Sequence, residues 1–218
     1  MERPNTLPWD GHPQRADLII MAGIAASALY GLILLPLVPS LVGSHPALLE
    51  LLRGSMTSIV TMGALARTGH AALIVALCSG IPALIAFDWA YWWAGRRWGG
   101  RALDLIGGSR PRAQKRADRV QRLMARFGPA AVILAYILPV PTALVDAAAG
   151  WGGMRLAVFL VCDAIGALLW AGLLVGLGYG IGQPAVDVAH QISHYALIIT
   201  LALVVVIVVT QARRASRA

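Results

Sequence analysis

What most constrains this chain is that its apolar runs continue for about 20 residues at a time, roughly the helical length that crosses the hydrocarbon of a bilayer. A soluble domain buries such residues in a core and returns to polar sequence within a few turns. Here 58% of the 218 residues are hydrophobic and 13% are charged, too little polar sequence to cover a water-facing surface. The chain therefore reads as an integral membrane protein with several spans and little else.

The opening segment, MERPNTLPWDGHPQRAD, is polar and proline-rich and lacks the cleavable apolar core of a signal peptide, so the first apolar run reads as an anchor. That run, residues 18–38, carries no charge and is expected to end where Pro36 and Pro39 break a helix. Residues 46–69 carry Glu50, Arg53 and Arg67 around GSMTSIVTMGALARTG, a stretch too interrupted to cross cleanly and expected to be re-entrant. Residues 70–93 read as a long apolar helix containing Pro82 and Asp88, closing on Trp89, Tyr91, Trp92, Trp93 and Trp98, an aromatic belt of the kind found at membrane interfaces.

A basic segment, 96–126, follows, in which a Gly107-Gly108-Ser109-Arg110-Pro111 break divides a short apolar helix from an amphipathic, arginine-rich one expected on the cytoplasmic surface. Residues 128–150 repeat the interrupted pattern, with arms AAVILAYIL and TALVDAAAG joined by Pro139-Val140-Pro141. A span over 156–178 carries Asp163 and Trp170, and after a polar turn a last span is expected over 195–210, before a basic tail.

The fold class expected is all-α and polytopic, with about four transmembrane helices and two re-entrant helical hairpins, 46–69 and 128–150, in a pseudo-symmetric inverted repeat. Its parts are a polar N-terminal segment, 1–16, a first transmembrane helix and loop, 17–44, a membrane domain, 45–182, and a last helix with its basic tail, 183–218. Charge supports this topology. Ten of the 18 basic residues lie between Arg96 and Arg126, and Arg213, Arg214 and Arg217 add three. Four crossings put the N-terminus, that loop and the C-terminus together on the cytoplasmic side, as the positive-inside rule requires.

Charges inside a membrane cost several kcal/mol each on insertion scales, so each must be neutralised, be paired or face a cavity. Four acids need that explanation. Asp163 lies well inside a span and reads equally as a proton-relay group or as a hydrogen-bonded tie between helices. Asp146 adjoins three alanines that permit close packing and is the stronger candidate for a cavity-facing group. Asp88 is expected to pair with Arg96 or Arg97 at the interface, while Glu50 reads equally as a functional group or as an interfacial residue with Arg53 three positions on as its helical partner. Ser55 marks the tip of the first hairpin.

The net charge of +8 is explained by topology without nucleic acid, while the basic loop would attract anionic lipid headgroups. Cys78 and Cys162 lie in apolar runs, where a small buried hydrophobe is the expected role. His190 and His194 form a lone i,i+4 pair, and His45 and His70 fit no zinc pattern, so neither metal nor cofactor is expected. Walker, GxSxG and CxxC motifs are absent, and no clustered acids or histidines suggest an embedded enzyme.

Residues 45–182 resemble the DedA family, also called the SNARE-associated or VTT-domain family. The resemblance is carried by Gly128, Pro139, Gly150, Met154, Phe159, Gly166, Trp170 and the Gly178-Tyr179-x-x-Gly182 ending, with Asp88 and WAYWWAGRRWG upstream. It implies a bacterial cytoplasmic-membrane protein with two opposed re-entrant hairpins, linked to translocation of phospholipid or polyprenyl-phosphate and to protons; eukaryotic relatives resemble lipid scramblases. The family's second hairpin usually carries two arginines flanking its proline, where this chain has Tyr136 and Thr142, and the usual first-hairpin acid is missing from Arg53-Gly54-Ser55-Met56. The resemblance thus places Tyr136, Pro139 and Thr142 at the hairpin tip. The function expected is a lipid or lipid-carrier translocase; the alternative is a non-transporting scaffold that kept the fold. Self-association is compatible with either.

Overall fold

A computed structural model describes residues 8–9, 12–108, 111–195, 198 and 200–202. Among these residues the only regular structure is helical. Among the described residues three helical runs are long and apolar enough to cross a membrane: Arg15–Ser44, Leu73–Trp98 and Leu156–Ile181. The span expected over 195–210 and the basic tail lie for the most part outside the described residues, as does part of the break at 107–111.

The first run does not end at its prolines. Helix α1, Arg15–Leu34, passes through a single 3-10 turn at Leu35–Leu37 into α2, Val38–Ser44. Pro36 and Pro39 each fall in the first turn of the piece that follows, where the missing N–H would have had no intrahelical partner. The prolines therefore tighten the helix locally without stopping it.

Both interrupted segments form two helices with a break between adjacent arms. In the first, α3 (Pro46–Arg53) and α4 (Met56–Arg67) pack side by side. Gly54 closes α3 in the left-handed conformation, φ 56°, which glycine adopts without strain. Ser55 caps α4 by accepting the Ser58 N–H at 3.3 Å. The run that follows is itself broken into α5 (Leu73–Cys78), α6 (Ile81–Ile85) and α7 (Asp88–Trp98). Helices α8 (Gly100–Gly107) and α9 (Pro111–Phe127) lead to the second hairpin, α10 (Ala130–Ala135) and α11 (Thr142–Trp151), and then to α12 (Leu156–Ile181) and α13 (Gln183–His194).

The chain divides into two compact units. One, Met1–Ala28 with Ile85–Trp170, is built on the pairing of α7 with α11. Its core holds Ile20, Val132, Leu144, Val145 and Phe159, with Trp92 stacked on Phe159 at 6.3 Å. The helices approach closely because glycines face backbone. A Cβ on Gly95 would sit 1.7 Å from the Ala147 carbonyl oxygen, and one on Gly150 would sit 1.9 Å from that of Trp92. Arginine-rich α9 turns Ala117, Val120 and Met124 toward this same core, so its apolar stripe packs on protein.

The other unit, Leu29–Leu84 with Ala171–Ala218, uses the same device. A Cβ on Gly63 of α4 would meet the Val175 oxygen at 2.3 Å, and one on Gly178 of α12 would meet that of Val60 at 1.9 Å. Helix α2 lies on α13 over a small core of Val42, Leu49 and Ala189. Arg67, at the end of α4, donates to the carbonyls of Tyr179 and Gly180 at 2.9 and 2.7 Å, binding a cation to the negative end of α12. Replacing Arg67 with Met keeps the stem and removes the donors. The expected loss is about 1 kcal/mol, read as a lower melting temperature in detergent; an unchanged melt would show that the bonds contribute nothing.

Candidate functional site

The acids sort themselves by unit. Asp88, in the first turn of α7, lies against Asp163 of α12 and the phenol of Tyr136. Asp146, on α11, is close enough to interact with both Asp88 and Asp163. Tyr136, in the turn after α10, donates its hydroxyl to Asp163 Oδ1 at 2.8 Å. Four elements thus bring three carboxyls and one phenol to one place. Asp146 and Asp163 are 2% and 1% exposed, and the Oδ2 atom of each lacks a hydrogen-bond partner. Among the described residues no arginine, lysine or histidine acts on any of the three acids.

Local packing explains how the phenol arrives. Gly166 lies three residues beyond Asp163 on α12, and a Cβ there would stand 2.7 Å from Tyr136 Cδ2 and 3.1 Å from the Ile133 Cα. The bare backbone at Gly166 gives the ring room to lie against the helix and reach the carboxylate one turn back. Thr142, at the start of α11, is one turn before Asp146 and on the same face. Pro139 is exposed at the hairpin tip.

The expected pairing of Asp88 with Arg96 or Arg97 is not what forms. Arg97 instead holds Asp17 through Nε and Nη2, and Asp17 also accepts from the Trp98 indole at 2.8 Å. Asp88 opens α7 whereas Arg96 and Arg97 close it; residues eight or nine apart on one helix are more than two turns away, beyond side-chain reach. Asp17, 2% exposed, was not singled out in the sequence, although an acid opening one apolar run and an arginine closing another are its visible signal.

Glu50 likewise does not pair with Arg53, which donates to the Gly31 carbonyl at 3.1 Å. Glu50 is fully buried in the second unit, facing the Ser79 hydroxyl and Gly80 backbone where α5 breaks from α6, without reaching hydrogen-bond geometry. It thus occupies the first hairpin a turn before the Gly54-Ser55 tip. Ser55 is a helix cap in that unit and takes no part in the acid cluster.

Among the described residues no three His, Cys, Asp or Glu side chains are arranged to hold a metal ion. Cys78 and Cys162 are free, and His194 lies edge-on to Tyr195 at 5.1 Å. What the acid cluster can do follows from its charge. Three carboxyls on which no basic side chain acts among the described residues, in a helix unit with membrane-spanning composition, form a group suited to binding protons.

Comparison with known proteins agrees with the architecture. The VTT domain family matches residues 53–180. An uncharacterized membrane protein, YbfM of Bacillus subtilis (strain 168), is 32% identical over 88 residues, 40% of this chain and 54% of the relative. The chain thus aligns with about half of that relative's length. No solved structure matches it.

Proposed function

Since this chain belongs to the VTT-domain, or DedA, family of membrane proteins, we propose that it moves phospholipid or a polyprenyl-phosphate carrier between bilayer leaflets, with the cluster of Asp88, Asp146, Asp163 and Tyr136 linking that movement to protons. The observation that carries the reading is the meeting of three acids without a counter-cation among the described residues. An anionic headgroup is repelled by ionised carboxyls and admitted when they hold protons, so headgroup passage and proton binding are thermodynamically linked. Tyr136 and Thr142 stand where the family resemblance implies arginines; the phenol supplies Asp163 with a neutral donor, leaving the acids' charge uncompensated. In the topology we propose, the two helix-break-helix segments are re-entrant, four helices cross a bacterial cytoplasmic membrane, and both termini are cytoplasmic.

The test is exchange of fluorescent phospholipid between leaflets of reconstituted liposomes, read by dithionite quenching, with a polyprenyl phosphate in a parallel set. Exchange above that of empty vesicles, changed by an imposed proton gradient and lost in an Asp146→Asn/Asp163→Asn variant, is the expected result. The neutral residues at the two arginine positions favour one other reading, a scaffold that kept the fold without transport. Absence of exchange with every lipid class would establish that reading instead.

A further inference from the structure

The second unit holds a buried acid that takes no part in the acid cluster. Glu50 of α3 is fully buried, and neither of its carboxylate oxygens has a hydrogen-bond partner. It faces Ser79 and Gly80, where α5 stops at Cys78 and α6 starts at Ile81. We propose that Glu50, the Ser79 hydroxyl and the backbone of this helix break bind a monovalent alkali cation of the sodium kind. These residues all lie within Leu29–Leu84, and the assignment stands apart from the transport reading and from the acids of the first unit.

Unmet oxygens and unbalanced charge carry the argument. Ser79 Oγ is buried without a partner, as are both oxygens of Glu50. Pro82 has no N–H to give the Cys78 carbonyl four residues back, so the break leaves a backbone acceptor outside the helical ladder. Gly80 lets the acid come this close: a Cβ there would lie 3.1 Å from Glu50 Cγ and 3.2 Å from Oε1. Among the described residues no charged side chain acts on Glu50. Arg53, on its own helix, donates to the Gly31 carbonyl, and Arg67, on the neighbouring α4, donates to Tyr179 and Gly180. Cys78, beside the break, is exposed. A buried carboxylate in such surroundings is strongly unfavourable unless something bound meets its charge.

The donor set selects the ion. Oxygen atoms face the break, which suits a hard cation better than zinc or copper. One carboxylate balances one positive charge, and a divalent ion would leave a buried charge over. A proton makes a single hydrogen bond, whereas two carboxylate oxygens, a hydroxyl and unwound backbone offer several acceptors together. Interrupted membrane helices use unwound carbonyls in this way to hold sodium. Bound there, the cation fastens α3 to the break between α5 and α6.

The test uses the full chain in maltoside micelles at fixed ionic strength, with sodium, lithium or potassium chloride exchanged for choline chloride. Radioactive sodium is counted after equilibrium dialysis, and the melting temperature is followed alongside. Saturable sodium binding is expected, with a rise in melting temperature of about 5 °C at saturation. Binding should be lost in Glu50→Gln, weakened about tenfold in Ser79→Ala and retained in Asp146→Asn/Asp163→Asn, whether or not that variant exchanges lipid. Should Glu50→Gln fail to fold, the wild type and Ser79→Ala decide the matter. A stronger response to lithium or potassium would assign the size of the ion and support the site. A melt that depends on pH but on no alkali ion, without bound sodium, would show that Glu50 holds only a proton and overturn the proposal. Binding at the wild-type affinity in Ser79→Ala, or its loss in Asp146→Asn/Asp163→Asn alone, would place the ion elsewhere and overturn it equally.

Discussion

Gly150→Ala and Gly95→Ala are each expected to prevent the α7–α11 pair from closing. The added carbon would lie 1.9 Å from the Trp92 oxygen in one variant and 1.7 Å from the Ala147 oxygen in the other. Both obstacles are backbone, which cannot rotate aside as a side chain does. An ordinary carbon-oxygen contact is about 3.3 Å or more, so the helices must part by more than an ångström and open the core they share. The expected penalty is about 3 kcal/mol, at the upper end for overpacking. It is read as loss of the monodisperse detergent-solubilised species or as a large fall in melting temperature. Gly176→Ala is the control: nothing lies within 4 Å of its Cβ position, and alanine is the better helix former. Variants melting with the wild type would mean that the two helices do not meet along this face.

Asp146→Asn is expected to separate stability from activity. Asp146 is 2% exposed, and its Oδ2 lacks a hydrogen-bond partner. An amide of the same shape removes an ionisable group that the fold must keep neutral or compensate, so the melting temperature should stay level or rise. Lipid exchange should fall by about tenfold or more, because an amide cannot cycle a proton in step with its neighbours. Falls in both would identify a structural tie between α7, α11 and α12; exchange at the wild-type rate would remove Asp146 from the mechanism.

The membrane character was legible in the sequence because it depends on run length and composition, which local residues settle without partners. The same holds for the helix breaks: Gly54 and Ser55 end and begin helices by their own conformational preferences, and the proline pair closes α10 from α11. The continuation of α1 into α2 was misread because a proline's effect depends on whether it falls inside a helix or in the first turn of a new one, a matter of one or two residues.

The acids were visible one by one, as charges in apolar sequence, but their neighbours were not. Asp88, Tyr136, Asp146 and Asp163 come from four elements, and only the packing of α7 on α11, with Gly166 making room for a ring, decides that they meet. The same unit leaves Arg97 to Asp17, some eighty residues away in sequence, while within the other unit Glu50 faces Ser79 and Gly80. Sequence by itself determined which groups could not be left alone in a membrane, since that follows from the free energy of burying charge. Which partners they found was decided by the tertiary structure, because side-chain contacts depend on distances that only the folded backbone sets.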